Sequence, residues 1–232
     1  MGIGSCLAGN AVRYNGQANS PNQYVRSICA QFEMRSFCPE MGVGMGVPRP
    51  PIYLVGGNRS VRVLDVQTHC NDYTEQLGNY ANTVLSLAPQ LCAYILVKGS
   101  PSCGYEHVKR HSDNGDHLAS DQQGIFARAL AASDPLLPLE DDERLQDSTL
   151  RESFITRAYA YHDWKLLRGE GIRTGQLIEF YSHYKDRFIA QREADCAVLE
   201  HMLATAGKRP GEVLATGFIT TLMAALGHRA PR

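Results

Sequence analysis

Three of the seven cysteines in the chain occupy settings that suit metal binding. Cys6 precedes Leu-Ala-Gly, Cys38 precedes Pro-Glu, and Cys103 follows Ser-Pro-Ser. Each comes after a short stretch predicted to be a β-strand, and ligands of open α/β sheets bind at the carboxyl ends of the strands. Cysteine thiolates hold iron–sulfur clusters, ordinarily four to a cluster. Three of them at one sheet edge therefore predict a metal cluster with one coordination position left open for chemistry.

Polar side chains beside two of these cysteines could act on a substrate. Glu40 lies two residues after Cys38, and Ser100 and Ser102 supply hydroxyl groups next to Cys103. A carboxylate can carry a proton, and a hydroxyl can hydrogen-bond a developing anion. A cluster that only transfers electrons needs a fourth ligand and has no use for a carboxylate at this position. Glu40 therefore favours catalysis.

The remaining cysteines and a group of histidines give no comparable signal. Free cysteine is often a small buried hydrophobe, and three cysteines on apolar faces of predicted elements are expected to be inert: Cys29, Cys92 and Cys196. Cys70, beside His69 in a polar stretch, stays undecided. Three histidines could imitate metal ligands, but their segment is rich in Asp and Asn and predicts a solvated loop: His107, His111 and His117.

Composition is that of a folded globular protein, with 44% hydrophobic and 20% charged residues and a net charge of −1. The first 150 residues carry an excess of acidic side chains and the rest an excess of basic ones. An odd number of cysteines without a C-x-x-C pair argues against a disulfide framework and a zinc ribbon. Neither a signal peptide nor an apolar stretch long enough to span a membrane is evident. The expected location is the reducing cytoplasm, with no membrane partner.

Strands that alternate with helices predict an α/β layer fold for the first part of the chain. Apolar runs and alternation predict strands at 2–6, 32–38, 61–66, 92–97 and 136–139, and helical spacing predicts helices at 22–31, 74–88 and 121–132. Residues 1–147 are therefore predicted to form a small open, mostly parallel sheet with flanking helices. Helical spacing continues over 148–232, which predicts an all-α second domain whose first helix begins at a capping box at Thr149.

Three sequence blocks, taken together, resemble the thiouracil desulfidase family. They are residues 6–9 with 12–16, residues 38–40 with the Pro-Arg-Pro-Pro loop at 48–51, and residues 100–104. They stand in the family's order and cover about residues 1–145. Residues 154–159 and 180–185 resemble the YbgA-type helical domain, which is shorter here than in its family. The combination is similar to the desulfidases that remove sulfur from 4-thiouridine in transfer RNA.

The resemblance implies an iron–sulfur enzyme. A 4Fe–4S cluster would be held by Cys6, Cys38 and Cys103, with the fourth iron left without a protein ligand. The implied reaction is a non-redox, hydrolytic removal of sulfur from a thiolated uracil, which yields the uracil and hydrogen sulfide. The partner is the thiolated base or nucleoside, with transfer RNA as a further partner of the second domain.

The same resemblance implies roles for five further residues. Glu40 and Ser100 are expected to be catalytic, Glu40 as the proton carrier and Ser100 as a hydrogen-bond donor to the substrate or its anion. Arg13, Tyr14 and Ser102 are expected to bind the substrate.

Two alternatives remain open at the level of the residues. The chain could be a non-catalytic iron–sulfur redox or sensor module that binds RNA, or a binding protein that holds no metal. The sequence also leaves open whether the substrate is a free thiolated base or a nucleotide within transfer RNA, and whether sulfur is removed from position 2 or 4.

Overall fold

A computed structural model describes residues 1–57, 60–188 and 192–227. The chain divides into two compact units, residues 1–146 and residues 147–232. The first unit contains both sheets and the second contains helices. The end of the predicted second domain, residues 228–232, lies outside the described residues.

The first unit contains eight described strands and four described α-helices. The strands are β1 (Gly2–Gly4), β2 (Arg35–Phe37), β3 (Ile52–Gly57), β4 (Ser60–Asp65), β5 (Tyr94–Leu96), β6 (Val108–His111), β7 (His117–Gln122) and β8 (Leu139–Asp141). The helices are α1 (Gln23–Cys29), α2 (Pro39–Gly42), α3 (Thr74–Leu87) and α4 (Ile125–Ser133), and a 3₁₀ helix covers Arg144–Gln146.

The first sheet has the strand order β2-β1-β5-β8, and its pairs are all parallel. Its strands are three residues long, and the two central ones, β1 and β5, are apolar and buried, with Tyr94, Ile95 and Leu96 of β5 fully buried. Parallel strands covered on both faces are expected to be continuous apolar runs rather than alternating ones. The predicted fold class, an open and mostly parallel sheet with flanking helices followed by a helical region, is confirmed.

A second sheet, of order β4-β3-β6-β7, was only partly predicted. In it β3 pairs antiparallel with β4 and parallel with β6, and β6 pairs antiparallel with β7. The expected solvated loop around the histidines is wrong, since His111 ends β6 and His117 begins β7. Helix α4 begins at Ile125 rather than at 121, because residues 117–122 belong to β7. Because the side chains of β7 are polar and largely exposed, the sequence lacks the alternation of apolar and polar residues that would predict a strand there.

Two helices pack together in the first unit and support the sheets. Leu77 of α3 and Ile125 of α4 join a buried cluster with side chains of the second sheet. Phe126 of α4 lies edge-on to Tyr94 of β5, with ring centroids 5.7 Å apart. Helix α4 is therefore fixed against both sheets, and this fixes the segment that precedes it.

The second unit contains α5 (Ser148–Glu170), α6 (Thr174–Lys185), α7 (Glu193–Thr205) and α8 (Glu212–Gly227). Helix α5 is capped by Asp147, whose side chain accepts hydrogen bonds from the amides of Thr149 and Leu150, and not by the predicted Thr149. Aromatic side chains, among them Phe180 and Phe218, form the core. Of the helices described, none is both long enough and apolar enough to cross a membrane.

Candidate active site

The three predicted metal-binding cysteines lie at the carboxyl ends of three adjacent parallel strands. Cys38 directly follows β2, Cys6 lies two residues after β1, and Cys103 lies in the loop after β5. All three line one cavity of about 260 Å³. Because the strand order is β2-β1-β5, the sheet alone brings together segments that are far apart in sequence.

The thiols of these cysteines are close enough to influence one another. Burial raises the pKa of Cys6, and the charge of Cys38 raises it further. Burial also raises the pKa of Cys103 to about 12, with a smaller contribution from Cys6. The cavity therefore disfavours three unpaired thiolates and would favour a positively charged group that binds them.

The donor set suits a cluster better than a single ion. Within the described residues, no three His, Cys, Asp or Glu side chains are grouped so as to hold one metal ion. A single zinc ion, with bonds of about 2.3 Å to sulfur, would draw its ligands much closer together than a cluster does. An iron–sulfur cluster puts several atoms between its thiolates, and three thiols around one cavity fit that requirement.

Helix α2 sets the position of Glu40. Cys38 is the residue before the helix, Pro39 begins it, and Glu40 lies in its first turn. Proline suits the first helical position because its fixed φ is already helical and its missing amide proton has no partner there. Glu40 is consequently held two residues from Cys38 in the first turn of α2, and it lines the same cavity.

Both carboxylate oxygens of Glu40 are engaged by side chains. Oε2 accepts hydrogen bonds from Nε and Nη2 of Arg49, at 2.8 and 2.5 Å. Oε1 accepts a hydrogen bond of 2.7 Å from the hydroxyl of Ser102. An ionised carboxylate only accepts, so the Ser102 proton points to Glu40.

The serine pair continues this network towards Cys103. Oγ of Ser100 lies 3.0 Å from Oγ of Ser102 and 3.4 Å from Sγ of Cys103. Ser102 is fully buried, whereas Ser100 is half-buried and lines the cavity. Because Ser102 donates to Glu40, Ser100 supplies the proton if the two serines are hydrogen-bonded to each other. Ser100 is therefore the serine placed to meet a substrate, and Ser102 connects it to Glu40.

The predicted substrate-binding residues Arg13 and Tyr14 also line the cavity. The side chain of Tyr14 is 42% exposed, so its ring is available to a planar ligand. Arg13 is near enough to Cys6 to oppose, by its charge, part of the rise in the pKa of that thiol. Ser102 reaches the site through Glu40 rather than from the cavity wall.

Residues 1–142 match the model of the 2-thiouracil desulfurase family. The chain belongs to this family. It is similar to the uncharacterized protein YbbK of Bacillus subtilis (strain 168), with 31% identity over 136 residues that cover 55% of this chain and 87% of YbbK. Its fold is similar to that of TudS, whose structure is described as a [4Fe-4S]-dependent thiouracil desulfidase. That likeness has a TM-score of 0.50 and 24% identity, and it covers 63% of this chain and 93% of the other.

The other four cysteines lie outside the cavity wall of this desulfurase-family chain. Cys92 and Cys196 are buried, Cys29 is half-buried at the end of α1, and Cys70 is exposed. The histidine group belongs to the second sheet, where the rings of His111 and His117 lie 5.9 Å apart.

Sequence reasoning missed two features of the site. Arg49, inside the Pro-Arg-Pro-Pro loop, was not predicted as a site residue, although an arginine between prolines is a visible signal. The second feature is the start of α4, where the amides of Ile125 and Phe126 donate to the carbonyls of Pro101 and Ser102, at 3.1 and 2.9 Å. Both bonds join backbone atoms, so no pattern of side chains in the sequence could have predicted them.

Proposed function

We propose that this chain is a desulfidase that removes sulfur from a thiolated uracil, with a 4Fe–4S cluster held by Cys6, Cys38 and Cys103. The observation that carries the proposal is the convergence of three thiols and the Glu40–Ser102–Ser100 network on one cavity. Membership of the 2-thiouracil desulfurase family supports the substrate class. The described cluster dependence of TudS supports the cofactor.

The cluster, when bound, supplies an iron without a protein ligand, a Lewis acid suited to the soft sulfur of a thiocarbonyl group. The three thiols hold it, and the fourth coordination position is left to the substrate. All seven cysteines are free thiols, which supports a reducing compartment such as the cytoplasm.

Glu40 and the serines move and hold protons in this scheme. Water adds to the thiocarbonyl carbon, and Glu40 accepts the proton that this water loses, either directly or through Ser102 and Ser100. The single hydroxyl proton of Ser100 is given to Ser102 when the serines relay the proton of the water. When Glu40 takes that proton directly, Ser100 donates to the thiocarbonyl sulfur, on which the negative charge develops. The oxygen bound to the carbon then loses its remaining proton and forms the carbonyl double bond, while the carbon–sulfur bond breaks and the sulfur leaves with the bonding electrons. The two protons of the water, one of them carried by Glu40, end on the sulfur. Thiouracil and water thus give uracil and hydrogen sulfide, and no electron donor is needed.

Arg13 and Tyr14 are proposed to orient the base. Aromatic side chains stack on nucleobases, a contact worth about 1–3 kcal/mol for each base. A guanidinium can donate to the oxygens of a pyrimidine ring. Both side chains come from one loop, residues 12–17, so a single segment would set the angle at which the thiocarbonyl group enters.

The choice between a free base and transfer RNA depends on the second unit. Its resemblance to the YbgA-type domain supports thiolated transfer RNA as a substrate. Its basic side chains support this less well, since three of them are paired with carboxylates and are therefore less available to phosphates. The pairs are Arg168–Glu212, Lys185–Glu200 and Arg192–Asp195. We therefore propose a free thiolated uracil as the first substrate and thiolated transfer RNA as the second.

Anaerobic purification with assays of iron and sulfide tests the proposal. The protein is expected to contain about four irons and four sulfides per chain, as a 4Fe–4S cluster requires. Incubation with 2-thiouracil, 4-thiouracil or 4-thiouridine transfer RNA should release sulfide and remove the thiocarbonyl absorbance without an added reductant. A cluster that releases no sulfide from any of the three would indicate a redox or sensor module. A colourless protein without iron would overturn the proposal.

A further inference from the structure

The guanidinium of Arg49 has all five of its N–H donors engaged. Nε and one proton of Nη2 bind Glu40, and the other Nη2 proton binds the carbonyl of Val12 at 2.8 Å. Nη1 binds the carbonyl of Gly46 at 2.7 Å and contacts the sulfur of Met41 at 3.6 Å. Its side chain is only 3% exposed. A buried arginine with a carboxylate and two carbonyls as partners is held in one orientation.

These contacts connect the segments that carry the three cysteines. Val12 belongs to the segment after Cys6, and the amide of Arg49 also donates to the carbonyl of Tyr14, at 2.9 Å. Glu40 belongs to the segment after Cys38. Through Glu40 the network reaches Ser102, beside Cys103. Arg49 is thus bonded directly to two of the three segments and, through one carboxylate, to the third.

We infer that Arg49 is a positioning residue of the proposed desulfidase site. By binding Oε2 of Glu40 its side chain leaves Oε1 for Ser102, and by binding the carbonyl of Val12 it fixes the start of the loop that carries Arg13 and Tyr14. The inference rests on the proposed function for its effect on turnover. Its effect on the order of the two segments stands independently of that function.

The chemistry of the side chain explains why arginine stands here. Lysine keeps the charge but has three donors on one atom, so it cannot bind Glu40 and reach the carbonyls of Val12 and Gly46 at the same time. A lysine would keep the ion pair with Glu40 but lose the hydrogen bonds to the carbonyls of Val12 and Gly46. A purely electrostatic role would be preserved by Arg49→Lys, whereas a positioning role would not.

The first measurement is hydrogen exchange on purified protein carrying Arg49→Lys. Exchange is expected to accelerate in residues 10–17 and 38–46, while β5 and the core of the first sheet keep their protection. The matched control is Arg110→Lys in the second sheet, where Arg110 binds Asp121 through two nitrogens and the carbonyl of Gly56. An unchanged exchange pattern in the two segments, or a loss of protection spread over the whole unit, would overturn the inference.

The second measurement is turnover of 2-thiouracil, normalised to iron. Arg49→Lys is expected to lower kcat by about 10–100-fold, as loss of a residue that orients site groups typically does. It is also expected to raise KM, because the loop that carries Arg13 and Tyr14 loses its side-chain bond at the carbonyl of Val12. Arg110→Lys should leave both constants unchanged. In single-turnover assays on Glu40→Gln, adding Arg49→Lys should cost much less, because residues that act through one another are not additive. A full additional loss would show that Arg49 does not act through Glu40.

The two measurements separate the inference from the proposed function. If the wild-type protein releases no sulfide, the proposed function fails, and the exchange result still decides whether Arg49 orders the two segments. If the wild type is active and Arg49→Lys has wild-type kcat, the positioning role fails alone.

Discussion

Glu40 lies between a buried cation on one carboxylate oxygen and a serine hydroxyl on the other. The side chain of Arg49 is almost fully buried, so its charge depends on Glu40 for compensation. Removal of one partner from a buried ion pair typically costs about 3–5 kcal/mol, because the other charge is left uncompensated. Glu40 is therefore expected to stabilise the fold in addition to its proposed role in chemistry, and a test of that role has to separate the two.

Glu40→Gln is expected to lower kcat by about 10²–10⁴-fold, the usual contribution of a general acid or base. It should also lower the melting temperature, since Arg49 loses its counter-charge. Turnover is measured per bound iron, so that loss of folded protein does not count as loss of catalysis.

The control for Glu40 is Glu140→Gln. Glu140 is 2% exposed and paired with Arg144, and it does not line the cavity. Its substitution should lower the melting temperature and leave kcat per iron intact. Equal kcat per iron in the two variants would mean that Glu40 has a structural role only.

Cysteine substitutions test the ligand set directly. Replacement of Cys6, Cys38 or Cys103 by serine should each lower the iron and sulfide content, because thiolates are the ligands that clusters require. Cys29→Ser and Cys70→Ser serve as controls and should keep the wild-type content, since neither side chain lines the cavity. If any of the first three variants keeps the wild-type iron content, the substituted cysteine is not a cluster ligand.

At the scale of elements, the site is built from strand ends and from the start of one helix. The loop between β5 and β6 carries Ser100 and Cys103, and its carbonyls accept hydrogen bonds from the first amides of α4. Those amides have no partners within the helix, so the loop satisfies them and is held in return. Gly124, just before α4, allows the approach, because a Cβ there would lie 2.7 Å from the amide nitrogen of Cys103 and closer still to the carbonyl of Ser102.

Gly124→Ala is consequently expected to displace the loop of Ser102 and Cys103. Both the melting temperature and the iron content should fall, because backbone atoms rather than a flexible side chain must move. The control is Gly78→Ala within α3, where the nearest atom to the new Cβ would be 3.9 Å away. Alanine there should stabilise the helix by up to about 1 kcal/mol. Wild-type iron content in Gly124→Ala would contradict this account of the loop.

At the scale of the whole molecule, the family match falls within the first of the two units. The family match ends at residue 142, close to the end of the first unit at residue 146. The similarity to YbbK spans 87% of that protein. YbbK is therefore only slightly longer than the region that matches the first unit, which leaves too little length for a comparable second unit. The first unit is expected to fold by itself.

Deletion of residues 147–232 should therefore leave cluster content and turnover of free 2-thiouracil close to those of the full chain. If the second unit binds phosphates, activity on thiolated transfer RNA should be lost in the truncated protein. In the full chain, the affinity for transfer RNA should fall steeply with salt, since phosphate contacts release counterions. Loss of both activities on deletion would assign the second unit a structural role in the site.

The sequence by itself determined the residues that could do chemistry and most of the elements around them. Cysteines after apolar runs predicted strand ends. The observed strands β1 and β2 end within two residues of Cys6 and Cys38, and β5 ends seven residues before Cys103. Helical spacing predicted α1 and α3 and the helices of the second unit. These features follow from local periodicity, which neighbouring residues carry without reference to the rest of the chain.

Only the tertiary structure decided how these pieces meet. Strand order brought Cys6, Cys38 and Cys103 to one cavity, and no local pattern encodes strand order. Of the second sheet, only β4 was predicted. β7 is polar and largely exposed and β6 is polar apart from Val108, so neither carries an apolar pattern. β3, by contrast, is a buried apolar run that the sequence did indicate. Arg49 escaped as well, since its partners are a carboxylate nine residues away and a carbonyl 37 residues away. A buried guanidinium must find acceptors wherever the folded backbone offers them, and that requirement becomes visible only once the chain is folded.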